Sequence, residues 1–319
     1  MPRMDNDPLL GLLGKSGLIT REIARDLITV RPNERIKGTE EYAQQFRAGF
    51  GTVQKALDTL EETHAIKLES RGHRGTFIVS SDLSLLWALS GLGIIVGIMP
   101  LPNSRELEGI ATALAYAFSE AGLPLNLTHL NGGRRRIEQL QSGLANFVVL
   151  SLFSANEACA KDPALTRFLT CSPYSYYSRA SLVVLTRGDI VDRAAIQRVG
   201  IDATSRDHAE ITYREFDPSR VEFVQVPYHL IPEMVSRGQI DGAAWHRTTQ
   251  RIDPTNHSFH FFPLKQASVD EILGDLDSLA VVGHKNDHTL HALFEHYIDP
   301  TKLEQVQNDV IEGRRVPLY

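Results

Sequence analysis

The sequence is poor in cysteine, which excludes the protein classes that depend on disulfides or on cysteine-bound metals. Its 319 residues include two cysteines, Cys159 and Cys171, whose spacing matches neither a disulfide framework nor a zinc motif. Two reduced thiols are the simplest interpretation, and reduced thiols are usual in the cytoplasm. We therefore predict no metal site, and we expect a cytoplasmic protein.

Long uninterrupted hydrophobic runs are also absent. The most apolar stretch, residues 85–101, is broken by one serine and three glycines and ends among prolines. A membrane-spanning helix needs about 20 consecutive apolar residues, so this stretch is better explained as a linker followed by a buried strand. Residues 1–7 are polar and mixed in charge, and no secretory signal is predicted there.

A strong excess of positive charge is missing, since the formal net charge is −6. Residues 1–80 have a net charge of +1 and residues 81–319 a net charge of −7. Because an acidic surface is repelled by the phosphate backbone, contact with nucleic acid is expected only from the N-terminal part. The length and an apolar content of 42% indicate two or more domains with cores of ordinary size.

Familiar catalytic and nucleotide-binding motifs are absent as well. We find no G-x-S-x-G, no P-loop and no G-x-G-x-x-G after a predicted strand. His257 and His260 fall in or next to a stretch rich in proline, asparagine and histidine, without the helical spacing of a metal pair. Ser205, Asp207 and His208 are too close in sequence to form a catalytic relay. No catalytic residue and no cofactor is predicted.

Residues 39–79 contain the most informative pattern in the chain. Thr39 begins a short predicted helix, and apolar residues after Gly51 recur at the i, i+3, i+4 and i+7 positions of a second helix. Two strand-like segments, residues 66–68 and 76–79, then flank a glycine-rich turn. A helix, a turn, a second helix and a two-stranded wing are typical of DNA-binding regulators, which place the second helix in the major groove.

This order resembles the winged-helix domain of GntR-type bacterial regulators over roughly residues 16–80. The match is carried by the helix with Thr52, Val53, Ala56, Leu57 and Leu60 and by the wing segment Arg74-Gly75-Thr76-Phe77-Ile78-Val79. The resemblance implies that the second helix and the tip of the wing contact DNA. The expected DNA-binding residues are Gly51, Thr52, Gln54, Lys55, Arg71, His73 and Arg74.

The chain departs from the GntR-type pattern at three positions. Glu40, Phe50 and Gln54 stand where these regulators usually have arginines that touch DNA. The loss of three cations implies a lower phosphate affinity, or a larger share of that affinity for the wing and Lys55. The alternative is a winged helix that contacts protein, since one fold can serve several functions.

From residue 93 onward, predicted strands and helices alternate. The strands are predicted at residues 94–99, 125–130, 147–151, 181–186, 199–202, 221–226, 240–245, 259–264 and 279–284. The helices are predicted at residues 105–121, 134–141, 207–216 and 230–237, with further helices at the end of the chain. This alternation indicates a parallel sheet with helices on its faces, repeated in two α/β lobes.

The two predicted lobes resemble the type 2 periplasmic-binding-protein fold in its use as a cytoplasmic effector domain, over roughly residues 92–319. We therefore predict an α/β protein with a winged helix-turn-helix domain (residues 1–80), a linker (81–91) and a two-lobed effector-binding domain (92–319). The whole chain is similar to the YhfZ-type transcriptional regulators of enteric bacteria. That resemblance implies ligand-responsive control of a small set of metabolic genes.

Ligands of open α/β sheets bind beyond the carboxyl ends of the strands, in the crevice between lobes. Several predicted loops at such strand ends carry hydroxyls, glycines, cations or an aromatic ring. Backbone N–H groups at a helix start, together with cations, suit an anion. The predicted ligand-binding residues are Asn103, Ser104, Gly132, Gly133, Arg134, Ser151, Thr204, Ser205, Arg206, His208 and Trp245.

Many of these residues also have a purely structural interpretation. Ser104, Thr204 and Ser205 are equally suited to be helix caps. The glycine pair at 132–133 is equally suited to a turn. The arginine run at 134–136 is explained at least in part as a solvent-exposed charged face.

The aromatic residues near the expected cleft are open to two interpretations. Trp245 suits core packing as well as stacking on a ligand. Tyr174, Tyr176 and Tyr177, near Arg179, either line the cleft or pack between the lobes.

The sequence thus predicts a cytoplasmic, homodimeric transcriptional regulator that binds operator DNA and a small, anionic effector, with no membrane partner. Closure of the two lobes on the effector would change the spacing of two winged helices, and with it the affinity for a two-fold operator. The alternative is an enzyme of the same fold that acts on a small metabolite, because the fold alone does not decide function.

Overall fold

The computed structural model describes residues 14–178, 181–247, 259–265 and 273–319. Contacts within the chain divide it into two compact units. The first unit comprises the described part of Met1–Ile95 with the segments Phe118–Pro124 and His288–Tyr297. The second comprises the described parts of Val96–Ala117, Leu125–Asp287 and Ile298–Tyr319. None of the helices in these ranges is long and apolar enough to cross a membrane.

The first unit contains the predicted winged helix-turn-helix. Its elements are α1 (Lys15–Ile28), α2 (Thr39–Gln45), α3 (Phe50–Glu62), β1 (Ile66–Ser70), β2 (Thr76–Ser81) and α4 (Leu83–Ser90). The apolar stripe predicted on α3 is buried, and α3 packs against α1. Strands β1 and β2 pair antiparallel and form the wing. The predicted helices and the predicted wing are therefore confirmed.

The turn of the wing depends on glycine. A single 3-10 turn, Gly72–Arg74, connects the two strands, and Gly75 follows it with φ +90°. Residues with a side chain rarely adopt this conformation. A Cβ atom at residue 75 would also lie 2.8 Å from Nε of Arg35. Glycine at this position therefore sets the course of the hairpin next to its cationic tip.

The predicted linker, residues 81–91, contains the helix α4. The Asp82 side chain caps its start by accepting a hydrogen bond from the Leu85 N–H at 3.0 Å. Gly91, with φ +65°, terminates it. The helix packs against α1. The sequence interpretation missed α4 because its apolar residues lie all round the helix and show no amphipathic period. The proposed boundaries of the three parts stay a prediction.

The second unit has two α/β lobes, as predicted. Lobe 1 contains β3 (Ile95–Met99), α5 (Arg105–Glu120), β4 (Leu125–His129), α6 (Gly133–Gln141), β5 (Phe147–Ser151), α7 (Leu152–Lys161) and β6 (Leu165–Thr170). Lobe 2 contains β7 (Leu182–Arg187), β8 (Arg198–Ile201), α8 (Arg206–Glu215), β9 (Glu222–Gln225), α9 (Ile231–Ser236), β10 (Gly242–His246) and β11 (Phe259–Pro263). The last elements are α10 (Leu273–Leu276), β12 (Leu279–His284), α11 (His288–His296) and α12 (Pro300–Ile311).

Each lobe has a mixed sheet. The predicted parallel pairing is confirmed for β3 with β5 and for β8 with β9 and β10, but it was wrong for β7 and β12. The strand orders are β4-β3-β5-β12-β6 in lobe 1 and β11-β7-β10-β8-β9 in lobe 2. Strand β12 runs antiparallel to β5 and β6, and β7 runs antiparallel to β10 and β11. These two strands are the first that the chain forms after it passes from one lobe to the other. They enter their sheets from the opposite end, which is why their direction is reversed.

The cores of both lobes are apolar and surround the central strands. Every residue of β5 and β10 is buried. In lobe 1 the strands pack against α6 and α7, and in lobe 2 β10 and β7 pack against α8 and α9. Helix α7 and strand β6 were not predicted. The carboxyl ends of β3, β4, β8, β9 and β10 lie at the site described next.

Candidate functional site

A cavity in the second unit lies where several strands end, between the two lobes. The loops after β3 and β4 supply Asn103 and Asn131, the loop after β8 supplies Asp202, and β10 ends at His246. About 60 Å³ is open to the centres of water molecules, and about 10–15 Å³ is enough for one water. The cavity therefore has room for several waters or for one small molecule.

Aromatic and aliphatic side chains form much of the cavity wall. The ring of Tyr228 stacks on Trp245 with the centroids 4.5 Å apart, and Tyr176 meets Tyr177 edge to face at 4.7 Å. Burial raises the pKa of Tyr176 to about 12, so its hydroxyl stays protonated. The aliphatic lining residues are Leu101, Leu107, Leu182 and Ile211. Such a wall favours a ligand with an apolar part.

Arg136 brings a buried positive charge to this wall. The residue is only 4% exposed. Its Nε donates to the Val149 carbonyl at 3.1 Å, Nη1 to the Leu130 carbonyl at 2.9 Å and Nη2 to the Tyr176 hydroxyl at 3.3 Å. All three acceptors are neutral, and Arg136 forms no ion pair with any residue that the structure describes. A guanidinium has five N–H groups, so one on each terminal nitrogen remains for a ligand.

Asp202 and His208 come from lobe 2. Oδ1 of Asp202 accepts hydrogen bonds from the Thr204 N–H at 2.9 Å and the Thr204 hydroxyl at 2.6 Å, and Oδ2 accepts from the Tyr228 N–H at 2.9 Å. The His208 ring accepts from the Asp202 N–H at Nδ1 and donates to the Ala244 carbonyl from Nε2, both at 3.0 Å. Burial lowers the pKa of His208. Its imidazole is therefore neutral, with both nitrogens occupied.

A buried carboxyl group joins the two lobes. Ser151 and Ser154 of lobe 1 each donate a hydroxyl hydrogen bond to Oδ1 of Asp207 in lobe 2, both at 2.7 Å. The Ser151 hydroxyl also accepts from the Ser154 N–H at the start of α7, at 3.1 Å. Burial raises the pKa of Asp207, although the two serine hydrogen bonds and the charge of Arg136 act to lower it. Ser151, a predicted ligand-binding residue, is thus occupied by Asp207.

The structure brings five of the eleven predicted ligand-binding residues to the cavity wall: Asn103, Gly132, Ser205, His208 and Trp245. The other six lie outside the lining: Ser104, Gly133, Arg134, Ser151, Thr204 and Arg206. Ser104 accepts a hydrogen bond from a backbone N–H at the start of α5. The Arg134 side chain is 78% exposed and pairs with Glu138, and Arg206 pairs with Glu157. A ligand role for each of the eleven stays a prediction.

Sequence reasoning missed several polar side chains on the wall, among them Arg136 and Asp202. A local signal did exist for Arg136, because Gly133, Arg136 and Leu140 are the buried positions of α6. That helical spacing turns Arg136 inward and leaves Arg134 outside. For Asp202, the hydrogen bonds from Thr204 are local, but the contact with Tyr228 spans 26 residues and depends on the fold.

The polar groups at the cavity do not form a serine-type catalytic relay. Such a relay needs the serine and the carboxylate on different imidazole nitrogens. Here Ser181 Oγ at 2.6 Å and Glu106 Oε1 at 3.8 Å both lie near Nε2 of His246. No group of three or more His, Cys, Asp or Glu residues suited to a metal occurs in the described ranges. Arg179 and His257 lie outside those ranges.

The predicted DNA-contact residues of the second helix lie on one face of α3. Gly51, Gln54 and Lys55 are exposed, and Thr52 is half-buried. Phe50, in the first turn of α3, is 60% exposed, so a large apolar side chain stands beside the polar ones. In a major groove, a phenyl ring can contact the methyl group of thymine. Phe50 therefore joins the candidate DNA-contact surface, although it was not among the predicted contacts.

The wing tip carries three cationic or potentially cationic side chains. Nη2 of Arg71 lies 2.7 Å from a Glu69 carboxylate oxygen, and the Arg71 guanidinium lies 4.4 Å from the centroid of the Phe77 ring. His73 and Arg74 are exposed, and neither forms an ion pair with a residue in the described part of the chain. Arg74 is thus better placed than Arg71 to meet a phosphate group. The DNA role of these residues stays a prediction.

Two family models match separate parts of the chain. Residues 82–319 match the YhfZ C-terminal domain, and residues 31–78 match a helix-turn-helix domain. The chain is 28% identical to the uncharacterized protein YhfZ of Escherichia coli K12 over 305 residues, which covers 96% of this chain and 98% of that protein.

Two solved structures are similar to parts of this chain. The crystal structure of YhfZ from Shigella flexneri is 25% identical, with a TM-score of 0.59, and the match covers 75% of this chain and 98% of that chain. The periplasmic VFT2 domain of Bordetella pertussis BvgS is 16% identical with a TM-score of 0.47, covering 72% of this chain and 98% of that chain.

The chain has a helix-turn-helix domain and an α/β domain that resembles the type 2 periplasmic-binding-protein fold. Two lobes of mixed sheet, with a cavity between them, are the structural basis of that assignment. This combination fits a DNA-binding regulator with a small-molecule effector. Because the YhfZ C-terminal domain accounts for residues 82–319, the chain belongs to the YhfZ family.

Proposed function

We propose that the chain is a cytoplasmic, GntR-like transcriptional regulator that works as a homodimer and binds a small effector with an anionic group in the cavity between lobes 1 and 2. The observation that carries the effector part is the buried guanidinium of Arg136, which lines the cavity and has only neutral hydrogen-bond partners. The helix-turn-helix match carries the DNA part.

Arg136 is better suited to an anion than the predicted Arg134. Burying a charge without a counter-charge is costly, and the cost falls when an oppositely charged group completes the hydrogen bonding. The two N–H groups left on Arg136 match the two oxygens of a carboxylate or phosphate. Arg134 is exposed and already paired with Glu138, so little would be gained by binding a ligand there.

The contacts between the lobes support a ligand-dependent closure. Apart from the serine hydrogen bonds to Asp207, Asn131 Nδ2 lies 3.2 Å from His229 Nδ1, and Arg206 pairs with Glu157 at 3.0 Å. A molecule held between the lobes makes its full set of contacts only when they are closed. Such a molecule therefore shifts the population towards the closed form. The size of the shift is set by the difference between its affinities for the closed and the open form. We propose that closure changes the spacing of two winged helices in the dimer.

DNA contact is proposed for α3 and the wing. Exposed Lys55 of α3 and Arg74 of the wing would meet phosphate groups, with Arg71 and His73 beside Arg74. Gly51, Thr52 and Gln54 would face the base edges. A two-fold dimer would require an operator with two half-sites one helical turn apart, or a multiple of it.

The test of DNA binding is the salt dependence of affinity. We would measure fluorescence anisotropy on a labelled duplex from the region upstream of the gene, between 50 and 200 mM salt. Three cations per subunit give about six phosphate contacts per dimer and a log–log slope of about −5. Arg74→Ala should reduce the slope by about 2, whereas Arg237→Ala, an exposed arginine paired with Glu233 in lobe 2, should leave it unchanged.

Two results would contradict the DNA part of the proposal. Either a flat response to salt or equal slopes for wild type and Arg74→Ala would show that the wing does not contact phosphate groups. Binding of a protein in place of DNA would then be the better explanation of the winged helix.

A further inference from the structure

We propose that the effector is a small zwitterion, an amino-acid-like molecule whose carboxylate binds Arg136 and whose ammonium group binds Asp202. This inference rests on the proposed function, because it takes the cavity as the effector site. It goes further by requiring one charge of each sign on the same ligand.

Asp202 is as incompletely paired as Arg136. It is 5% exposed and accepts three hydrogen bonds, all from neutral donors of Thr204 and Tyr228. Both Thr204 bonds go to Oδ1, and a carboxylate can accept about four hydrogen bonds, so Oδ2 has room for a further donor. Within the described ranges Asp202 forms no ion pair. A ligand ammonium group would supply both the missing donor and the missing counter-charge.

The two unpaired charges belong to different lobes and line the same cavity. Arg136 comes from α6 of lobe 1, and Asp202 follows β8 of lobe 2. A simple carboxylate would satisfy Arg136 but place a second negative charge near Asp202. A simple amine would satisfy Asp202, but its ammonium group would place a second positive charge near Arg136. Only a ligand with both charges improves both sites, and it would also bridge the two lobes.

No neighbouring ionisable group in the described ranges forms an ion pair with Arg136 or with Asp202. His208 and His246 are neutral, since burial lowers the pKa of each, against the opposing effect of Glu106 on His246. Asp207 lies near Arg136, but two serine hydroxyls donate to its carboxyl group, and it forms no ion pair with Arg136 in the described ranges. Glu106 lies against His246. None of these groups adds a cation to the cavity wall.

The remainder of the cavity wall indicates which side chain the zwitterion should have. Trp245, Tyr228 and the aliphatic lining residues offer apolar contact, so the side chain of the zwitterion should be uncharged and apolar. The space of about 60 Å³ corresponds to roughly four to six water molecules. The apolar wall and the small volume of the cavity both favour an amino acid with a short aliphatic side chain.

The inference is tested with sets of probes that differ only in charge. We would titrate the full-length protein by calorimetry with L-alanine, L-valine, β-alanine and γ-aminobutyrate. The matched single-charge probes are propionate and isovalerate, which lack the ammonium group, and ethylamine and isobutylamine, which lack the carboxylate. At least one zwitterion should bind and raise the unfolding temperature. Its single-charge counterparts should bind about 10- to 100-fold more weakly, as expected for the loss of one hydrogen-bonded charge.

A charge-neutralising variant separates recognition from folding. Asp202→Asn should weaken binding of the zwitterion by about 10- to 100-fold and should leave binding of the matched carboxylate unchanged or stronger. That selective change would not arise from a general loss of structure. Thr204→Val removes a hydrogen bond to Asp202 but keeps its charge, so it should keep the preference for the zwitterion. Glu233→Gln, on the surface of α9, is the control for charge alone.

Three results would overturn the inference. If the carboxylates bind as tightly as the amino acids, Asp202 does not select an ammonium group, and the proposed anionic effector remains. If the amines alone bind, Arg136 is not the anchor for the carboxylate. If no zwitterion of the set binds, the proposed ligand class is wrong, while the salt-dependent DNA assay still decides separately whether the chain is a regulator.

Discussion

The hydrogen bonds of Ser151 and Ser154 to Asp207 predict a graded loss of stability. Ser154→Ala removes one hydrogen bond to a buried carboxyl group, and the free energy of unfolding should fall by about 1.5–3 kcal/mol. Ser151→Ala removes a bond of the same kind and also the cap of α7. A cap is worth about 1 kcal/mol, so Ser151→Ala should cost about 2.5–4 kcal/mol.

The effect should depend on the charge of Asp207. In an Asp207→Asn background the serines donate to a neutral amide oxygen, and such hydrogen bonds contribute only about 0.5–1.5 kcal/mol. Ser154→Ala should therefore cost about half as much there. Because the residues are in direct contact, a double-mutant cycle measures this coupling.

Urea unfolding followed by tryptophan fluorescence is the assay. The chain has two tryptophans, Trp87 in the first unit and Trp245 in lobe 2. In a Trp87→Phe background the signal comes from Trp245 alone, so the second unit is observed without interference. Ser142→Ala is the control, since the Ser142 hydroxyl bonds only to a backbone carbonyl at the exposed end of α6, and a change below about 0.5 kcal/mol is expected.

Equal costs of Ser154→Ala and Ser151→Ala would refute this expectation, because the second role of Ser151 as a cap would then contribute nothing. An unchanged cost of Ser154→Ala with asparagine at position 207 would refute it as well. In that case the serine hydroxyls would not be stabilising a carboxylate.

Four other perturbations test separate parts of the structure. Arg136→Met should abolish binding of carboxylate probes in calorimetry, whereas Arg134→Met should not, because only Arg136 lies at the cavity. Asp207→Asn should flatten the pH dependence of the unfolding temperature. Since burial raises the folded-state pKa of Asp207, its stabilising contribution is complete below the unfolded-state pKa of about 3.9 and is lost as the pH rises through the folded-state value. Phe50→Ala should weaken binding to the upstream duplex by about 5- to 10-fold without changing the unfolding temperature, and thymine-to-uracil substitution should weaken binding by wild type more than by the variant. Gly132→Ala should destabilise the second unit by about 1–3 kcal/mol in urea unfolding, because residue 132 has φ +84° and its new Cβ would lie 2.6 Å from a threonine hydroxyl oxygen.

Local periodicity was sufficient to predict much of the secondary structure. The stripe of Val53, Ala56, Leu57 and Leu60 is buried as predicted, because apolar residues at helical spacing have one face to bury. Helix α4 was missed since its apolar residues surround it. An apolar run of that length is equally compatible with a strand, a linker or a buried helix, and its packing against α1 decides among them.

Strand direction was beyond the reach of the sequence pattern. The segments that form β7 and β12 were recognised as strands, but both were expected in parallel sheets. A strand has the same alternation of residues in either direction, so the pattern carries no information about its orientation. The passage of the chain between lobes decides it, and that passage exists only in the folded protein.

At the candidate site, the sequence pattern and the tertiary structure favour different arginines of one helix. Three consecutive arginines begin α6, and the sequence favoured Arg134. In the fold Arg136 is buried at the cavity and Arg134 pairs with Glu138 on the surface. Helical spacing puts Arg134 and Arg136 on different faces of α6, and the packing of α6 against β5 decides which of these faces is buried.

By itself, the sequence determined the helix-turn-helix with its wing, the alternating strands and helices of two lobes, and the absence of familiar catalytic motifs. These features depend on residues within one turn of helix or one strand of each other. The tertiary structure alone decided the reversal of β7 and β12 and the hydrogen bonding of Ser151 to Asp207, 56 residues away. It also placed Arg136 and Asp202 on one cavity. Residues so far apart in sequence line one cavity only when folding brings their strands and helices together.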